Sequence, residues 1–257
     1  MDTSKYDLII LKVGTNTLMN ENGINKSFLT NLIFEATELL YRGKKVIIVT
    51  SGAIGLGKRK INFQKEKPFD IKTQQGLAAI GQISLIEEYK KRFDAIGVEC
   101  AQVLLSQRDF TDANCVSNMK NTFDFLFQNK VIAIVNENDV VATEELRKYG
   151  AFSDNDSLAS LLAKQLNANL LVMLTTKGGL IGKKGEILKE LTRENELMQI
   201  KVNSNDGRGG IESKLNSINQ TNEFNCDVYV SGNKNFEGFS KGTSIGTFSK
   251  GKAHSID

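Results

Sequence analysis

Two lysines in this chain stand where a fixed positive charge could meet an anion. Lys12 closes the apolar run "YDLIILKV" and is followed by Gly14 and Thr15, so the backbone beside its ammonium group is bare enough for a ligand to approach. Lys214 lies in "GRGGIESKLNS", where Gly207, Gly209 and Gly210 lead into a helical pattern whose first N–H groups already favour negative charge. Either lysine alone is explained by a strand that surfaces or by a solvated helix face. Together they suggest phosphate or carboxylate. Two acidic segments complement them. "NENDVV" sets Asn136, Glu137, Asn138 and Asp139 directly after "VIAIV", and "SDNDSLAS" puts Asp154, Asn155 and Asp156 at the start of a helical pattern. Turns and helix caps use the same residue types. No D-x-[DN]-x-[DN]-G loop follows, so an EF-hand calcium site is not supported.

A third stretch, "VTSGAIGLGKR", follows the strand-like "KKVIIVT" and resembles a phosphate-binding loop. Gly52, Gly57 and Lys58 satisfy the Walker spacing, but Arg59 occupies the position where a P-loop needs a hydroxyl for Mg²⁺. Ser51 and Gly52 are therefore read as a glycine turn after a buried strand, with some other ligand.

These residues must be positioned by an α/β framework. Six apolar runs of strand length, "YDLIILKV", "KKVIIVT", "VECAQVLL", "KVIAIVNE", "NLLVMLTT" and "CDVYVSG", are nearly continuous in Val, Ile and Leu, as strands buried on both faces are. Helical patterns alternate with them at Lys26 to Tyr41, Ile71 to Phe93, Asn114 to Gln128, Asp156 to Leu166 and Gly210 to Asn222. That order predicts a mostly parallel sheet with helices on both faces. Such sheets bind ligands beyond the carboxyl ends of their strands, where "KVGTNT", "TSGAIG", "NENDVV", "TTKGG" and "SGN" all fall.

Composition narrows the partners. The 257 residues carry 33 basic and 30 acidic side chains, a formal charge of +3 that is too small and dispersed to argue for nucleic acid. The N-terminal apolar run is too short for a secretory signal, and no stretch approaches the ~20 apolar residues of a membrane helix, so a cytoplasmic location is expected. Cys100, Cys115 and Cys226 are widely spaced and expected to be reduced, buried thiols. The single histidine, His254, lies close to the last residue, so a histidine base is not expected.

In order along the chain, "LKVGTNTL", "VIIVTSGAIGLG", "GLAAIGQISLI", "VIAIVNENDVVA", "SDNDSLASLLA", "MLTTKGGL" and "GGIESKL" resemble the amino-acid kinase family, in particular its glutamate 5-kinase branch. The resemblance implies a three-layer α/β/α sandwich as one domain, with an acceptor-substrate lobe to about residue 167 and a nucleotide lobe from about 168. It implies ATP-dependent phosphorylation of the γ-carboxylate of L-glutamate, the first step of proline biosynthesis, with Mg²⁺, feedback inhibition by L-proline and a homo-oligomer. Carried over residue by residue, Ser51, Gly52, Asp139 and Asn155 would contact glutamate. Lys12, Gly14, Thr175, Thr176, Gly209, Gly210, Ile211, Glu212, Ser213 and Lys214 would meet ATP, and Asp156 would orient the two lysines. No residue is assigned as a direct metal ligand.

The implied chemistry agrees with the residue types. A carboxylate is ionised at neutral pH and can attack the γ-phosphorus of ATP without a general base, so the reaction needs charge neutralisation and alignment. The chain departs from the family pattern where Thr176 replaces the usual aspartate and "KGGLIGKKGEI" is short, and it ends soon after "SIGTFSK", implying a form without the C-terminal PUA domain. Two other readings share the motifs: a relative acting on N-acetylglutamate or UMP, and a non-catalytic sensor of glutamate or proline.

Overall fold

The computed structural model describes residues 1–64, 69–141, 155–182, 184–192 and 208–252, with backbone alone for 208–213. The expected alternation is present. β1 (Leu8–Val13) leads through a one-turn helix α1 (Thr15–Leu18) and a small hairpin, β2 (Met19–Asn20) and β3 (Gly23–Ile24), into α2 (Lys26–Tyr41) and β4 (Lys45–Val49). Then come α3 (Ala53–Lys60), α4 (Ile71–Asp94), β5 (Cys100–Leu105), α5 (Ala113–Gln128) and β6 (Ile132–Glu137). The second half holds α6 (Asn155–Leu166), β7 (Leu170–Thr175), α7 (Arg208–Asn222), β8 (Asp227–Gly232) and β9 (Gly246–Ser249).

One seven-stranded sheet in the order β5-β6-β4-β1-β7-β8-β9 runs through both halves of the chain. Every pairing is parallel except that of β9 with β8. All six residues of β1 are buried, because the strand is central and covered on both faces. Strand alternation assigns the faces. Ile9, Leu11 and Val13 pack with Leu29 and Leu32 of α2 and Leu85 and Tyr89 of α4, whereas Leu8 and Ile10 pack with Phe123 of α5, Leu158 of α6 and Ile218 of α7. The result is the expected three-layer sandwich. Helix starts follow local chemistry: Asn25, Asp70 and Asp112 each accept a hydrogen bond from a backbone N–H three residues on.

The long return from β8 to β9 is held from inside. The carboxylate of Glu35 on α2, almost wholly buried, accepts hydrogen bonds from Gly238 N at 2.6 Å and Ser240 N at 2.8 Å. Phe236 and Phe239 stack beside it, 4.9 Å between ring centroids. Of the thiols, Cys226 is buried and Cys100 half-buried, but Cys115 is exposed near the start of α5, where burial was expected. Among the described residues no helix is long and apolar enough to cross a membrane. His254, Pro68, Asp154 and Gly207 lie outside the described residues.

The glycine-rich stretch after β4 is not an open loop. A helix begins at Ala53, immediately after Gly52, so the residues between Gly52 and Gly57 that would have to form the phosphate-wrapping loop are already helical, and Lys58 lies in the second turn rather than at the helix start. Gly57 serves packing. A Cβ there would lie 1.9 Å from the Leu77 carbonyl oxygen, and one at Gly81 would lie 1.8 Å from that of Ala53, so α3 and α4 touch backbone to backbone. Lys58 instead extends over the Phe69 ring, 5.8 Å from its centroid. Gly57→Ala should therefore destabilise the chain by about 2 kcal/mol despite alanine's higher helix propensity, and Lys58→Ala by less than about 0.5 kcal/mol. Urea unfolding of both variants checks this; equal stability of Gly57→Ala and parent would remove the packing explanation.

Candidate active site

The sheet has a topological switch at β1. The chain passes from β1 to β4 on one side and, after β6, crosses by way of α6 to β7 on the other, opening a crevice at the carboxyl end of β1. Lys12 stands there, in register with Val49 of β4 and Met173 of β7. By strand parity it follows Leu8 and Ile10 to the face covered by α6 and α7. Its ammonium group meets Asp156 Oδ1 at 2.5 Å, and Lys214 Nζ on α7 meets Asp156 Oδ2 at 2.9 Å. Side-chain exposure is 7% for Lys12, 4% for Asp156 and 17% for Lys214, so the carboxylate is dry and Lys214 is the most exposed of the three.

Burial opposes ionisation of Asp156, but the ammonium groups of Lys214 and Lys12 more than offset it and hold the carboxyl below the ordinary carboxylate range. Its place in the first turn of α6 adds a favourable helix-dipole contribution. Among the described residues two ammonium groups meet one carboxylate, a net positive charge within the cluster. Gly14 lies beside it: a Cβ there would sit 3.4 Å from Lys12 Nζ, an ordinary contact.

The turn after β4 borders the same crevice. Ser51 Oγ donates to the carbonyl of Val13 at 2.9 Å, tying the ends of β4 and β1 together. Gly52 has φ +104°, a left-handed conformation that side chains strain, and caps α3 so that the helix's first N–H groups face the strand ends. Asn155 sits beside Asp156 on α6; its Nδ2 donates to the Thr50 carbonyl and, at 3.2 Å, to Asn136 Oδ1. Asn136 Nδ2 donates in turn to Gln82 Oε1 on α4 at 2.8 Å. Tyr89 OH donates to Thr50 Oγ1 at 2.9 Å, and burial raises its phenol above the usual range.

Asp139 is half-buried in the turn after β6 and lines a cavity of about 350 Å³ together with Gln82, Glu137 and Asn138. Thr175 ends β7 beside β1; its carbonyl accepts from Asn233 N at 3.1 Å, and Thr176 is exposed. Gly178 packs against Gly232, whose Cβ would fall 2.3 Å from the Gly178 Cα. Gly209, Gly210, Ile211, Glu212 and Ser213 form the opening turns of α7, with their side chains outside the described set. The structure thus gathers Lys12, Gly14, Asp156 and Lys214 at one point, with Ser51, Gly52 and Asn155 beside them. Gln82, Thr50 and Tyr89 were not found by sequence reasoning, because a glutamine and a tyrosine within an amphipathic helix carry no local signal. Among the described residues no three His, Cys, Asp or Glu side chains group to hold a metal ion, and both Asp156 oxygens face lysines.

The amino acid kinase family profile matches residues 7–230. The chain belongs to the amino acid kinase family. Among curated relatives, "Glutamate 5-kinase" of Thermoanaerobacter sp. (strain X514) is 42% identical over 217 residues, 80% of this chain and 57% of that protein. "Glutamate 5-kinase" of Enterococcus faecalis is 38% identical over 217 residues, 80% of each chain. The chain spans 57% of the first of these relatives and 48% of the one from Caldanaerobacter subterraneus. Among solved structures, N-acetylglutamate synthase from Neisseria gonorrhoeae superposes with a TM-score of 0.69 at 14% identity, covering 96% of this chain and 62% of that one, a likeness of fold.

The charge balance at Asp156 has a measurable signature. Its carboxyl is held below the unfolded value of about 3.9, so its stabilising contribution is present above that pH and is lost as pH falls through the lower folded value. Asp156→Asn should be about 3 kcal/mol less stable than the parent at pH 7, because two buried ammonium groups lose their counter-charge. That difference should shrink below pH ~4. Urea unfolding from pH 7 to pH 3 tests it, and a pH-independent difference would contradict the ion-pair account.

Proposed function

We propose that this chain transfers the γ-phosphoryl group of ATP to the γ-carboxylate of L-glutamate, giving L-glutamate 5-phosphate, the first step of proline biosynthesis. The observation that carries the reading is the pair of lysines held on one buried carboxylate at the switch point of the sheet. A carboxylate oxygen of glutamate attacks the γ-phosphorus, the bond from that phosphorus to the β,γ-bridging oxygen breaks, and ADP leaves with the electron pair. No proton moves, so no histidine or other base is required. The difficulty is electrostatic, since two anions must meet, and Lys12 and Lys214 supply fixed positive charge where it is needed.

Ser51, Gly52, Asp139 and Asn155 bind glutamate in this reading, with Asp139 suited to its ammonium group. Gly14, Thr175, Thr176 and the segment Gly209, Gly210, Ile211, Glu212, Ser213 hold the nucleotide beside the two lysines. The acceptor lobe extends to about residue 167 and the nucleotide lobe from about 168, sharing one sheet. Bound with ATP, Mg²⁺ would supply further neutralisation of phosphate charge, beside that from Lys12 and Lys214. A cytoplasmic homo-oligomer subject to feedback by L-proline completes the proposal. The identities of 38 to 44% to glutamate 5-kinases support it over N-acetylglutamate or UMP as acceptor. The intact lysine pair supports an enzyme over a silent sensor.

The test is ATP turnover with L-glutamate, N-acetylglutamate and UMP, trapping acyl phosphate with hydroxylamine. Hydroxamate should form with glutamate, and Lys214→Ala should lower kcat about 10²-fold, the scale of losing one preorganised electrostatic stabiliser. Phosphorylation of another acceptor with no hydroxamate from glutamate would overturn the assignment; undiminished turnover by Lys214→Ala would overturn the role of that lysine.

A further inference from the structure

The amides behind Asn155 form a chain with a direction. Thr50 O is a backbone carbonyl and can only accept, so the Asn155 atom facing it must be the amide nitrogen. That nitrogen has two hydrogens. One goes to Thr50 O and the other to Asn136 Oδ1, 3.2 Å away. Because Asn136 presents its oxygen to Asn155, its nitrogen faces the other way and donates to Gln82 Oε1 at 2.8 Å. One backbone carbonyl at the end of β4 therefore sets the orientation of three side-chain amides, from the start of α6 to α4. The inner members are well buried: Thr50 is 0%, Asn136 3% and Asn155 9% exposed. Inverting any of them would set two donors or two acceptors face to face, a costly arrangement where water is excluded.

The consequence concerns what Asn155 can recognise. With both amide hydrogens engaged, Asn155 has only Oδ1 to offer a substrate, and an oxygen acceptor meets a donor and repels a carboxylate. We propose that Gln82 and Asn136 are positioning residues that hold Asn155 as an acceptor-only group, so that it selects the acceptor substrate by its free ammonium group rather than by either carboxylate. The inference rests on the glutamate reading above and adds which substrate group Asn155 meets and what enforces it. Gln82, at the far end of the relay, also lines the cavity beside α4 and β5.

The test compares L-glutamate with glutarate, the same dicarboxylate without the ammonium group, by calorimetric binding to the full chain. The parent should prefer glutamate. Gln82→Leu, which keeps volume but removes the acceptor for Asn136, should weaken glutamate about tenfold, the scale of one hydrogen bond to a charged group, while leaving glutarate and ATP affinities unchanged. Gln82→Glu, which still presents an acceptor to Asn136, should restore most of the preference. A Gln82→Leu protein that keeps the parent's preference, or that loses both dicarboxylates equally, overturns the relay and returns Gln82 to a packing role. A parent that binds glutamate no better than glutarate also overturns it. A folded parent that binds glutamate not at all overturns the glutamate assignment itself, and this inference with it.

Discussion

The carboxylate of Asp156, shared between Lys12 and Lys214, is the interaction on which the candidate site depends. Two ammonium groups at the mouth of a buried crevice would repel each other and face a desolvation cost that neither could meet alone. The carboxylate between them lowers that cost and fixes their separation, and among the described residues the cluster keeps one net positive charge. An anionic ligand would complete the balance. The site is therefore most stable when occupied by negative charge, which is the arrangement a phosphoryl-transfer enzyme needs.

Three elements far apart in sequence must agree for that interaction to exist. β1 delivers Lys12 to the α6–α7 face because residues 8, 10 and 12 share a parity. α6 delivers Asp156 from its first turn, and its start is anchored by Asn155 through the carbonyl of Thr50. α7 packs Leu215 and Ile218 into the same core, which sets Lys214 one residue before a buried leucine and over the same carboxylate. The tight glycine contacts between α3 and α4 belong to the same logic on the other face, since α4 carries Gln82 and Tyr89 to the ends of β4 and β6.

Much of the framework was legible in the sequence, for physical reasons that also explain what was not. The central strands read clearly because they are buried on both faces and so are continuously apolar. The helices from Lys26 and Ile71 were legible because their periodicity is long and their caps, Asn25 and Asp70, are local signals. The helix Ala53–Lys60 was hidden by Gly55 and Gly57, which lower helix propensity but are tolerated, and at Gly57 required, by close helix packing. β9 was missed as a short antiparallel edge strand. The order of motifs pointed to Lys12, Asp156 and Lys214, but their contact depends on strand parity and crossover. The amide relay joins residues 54 positions apart through hydrogen bonds that leave no pattern in composition or spacing.

Steady-state kinetics of Asp156→Asn over full grids of glutamate and ATP, at fixed Mg²⁺ and a temperature at which the variant remains folded, test the role of the shared carboxylate most directly. An asparagine keeps the helix start but removes the charge that orients both lysines. If the shared carboxylate organises charge for the transfer step, kcat should fall by about 10²-fold with both KM values nearly unchanged. A variant that changes only KM, or that turns over at the parental rate, would contradict the claim that this carboxylate holds the site together for chemistry.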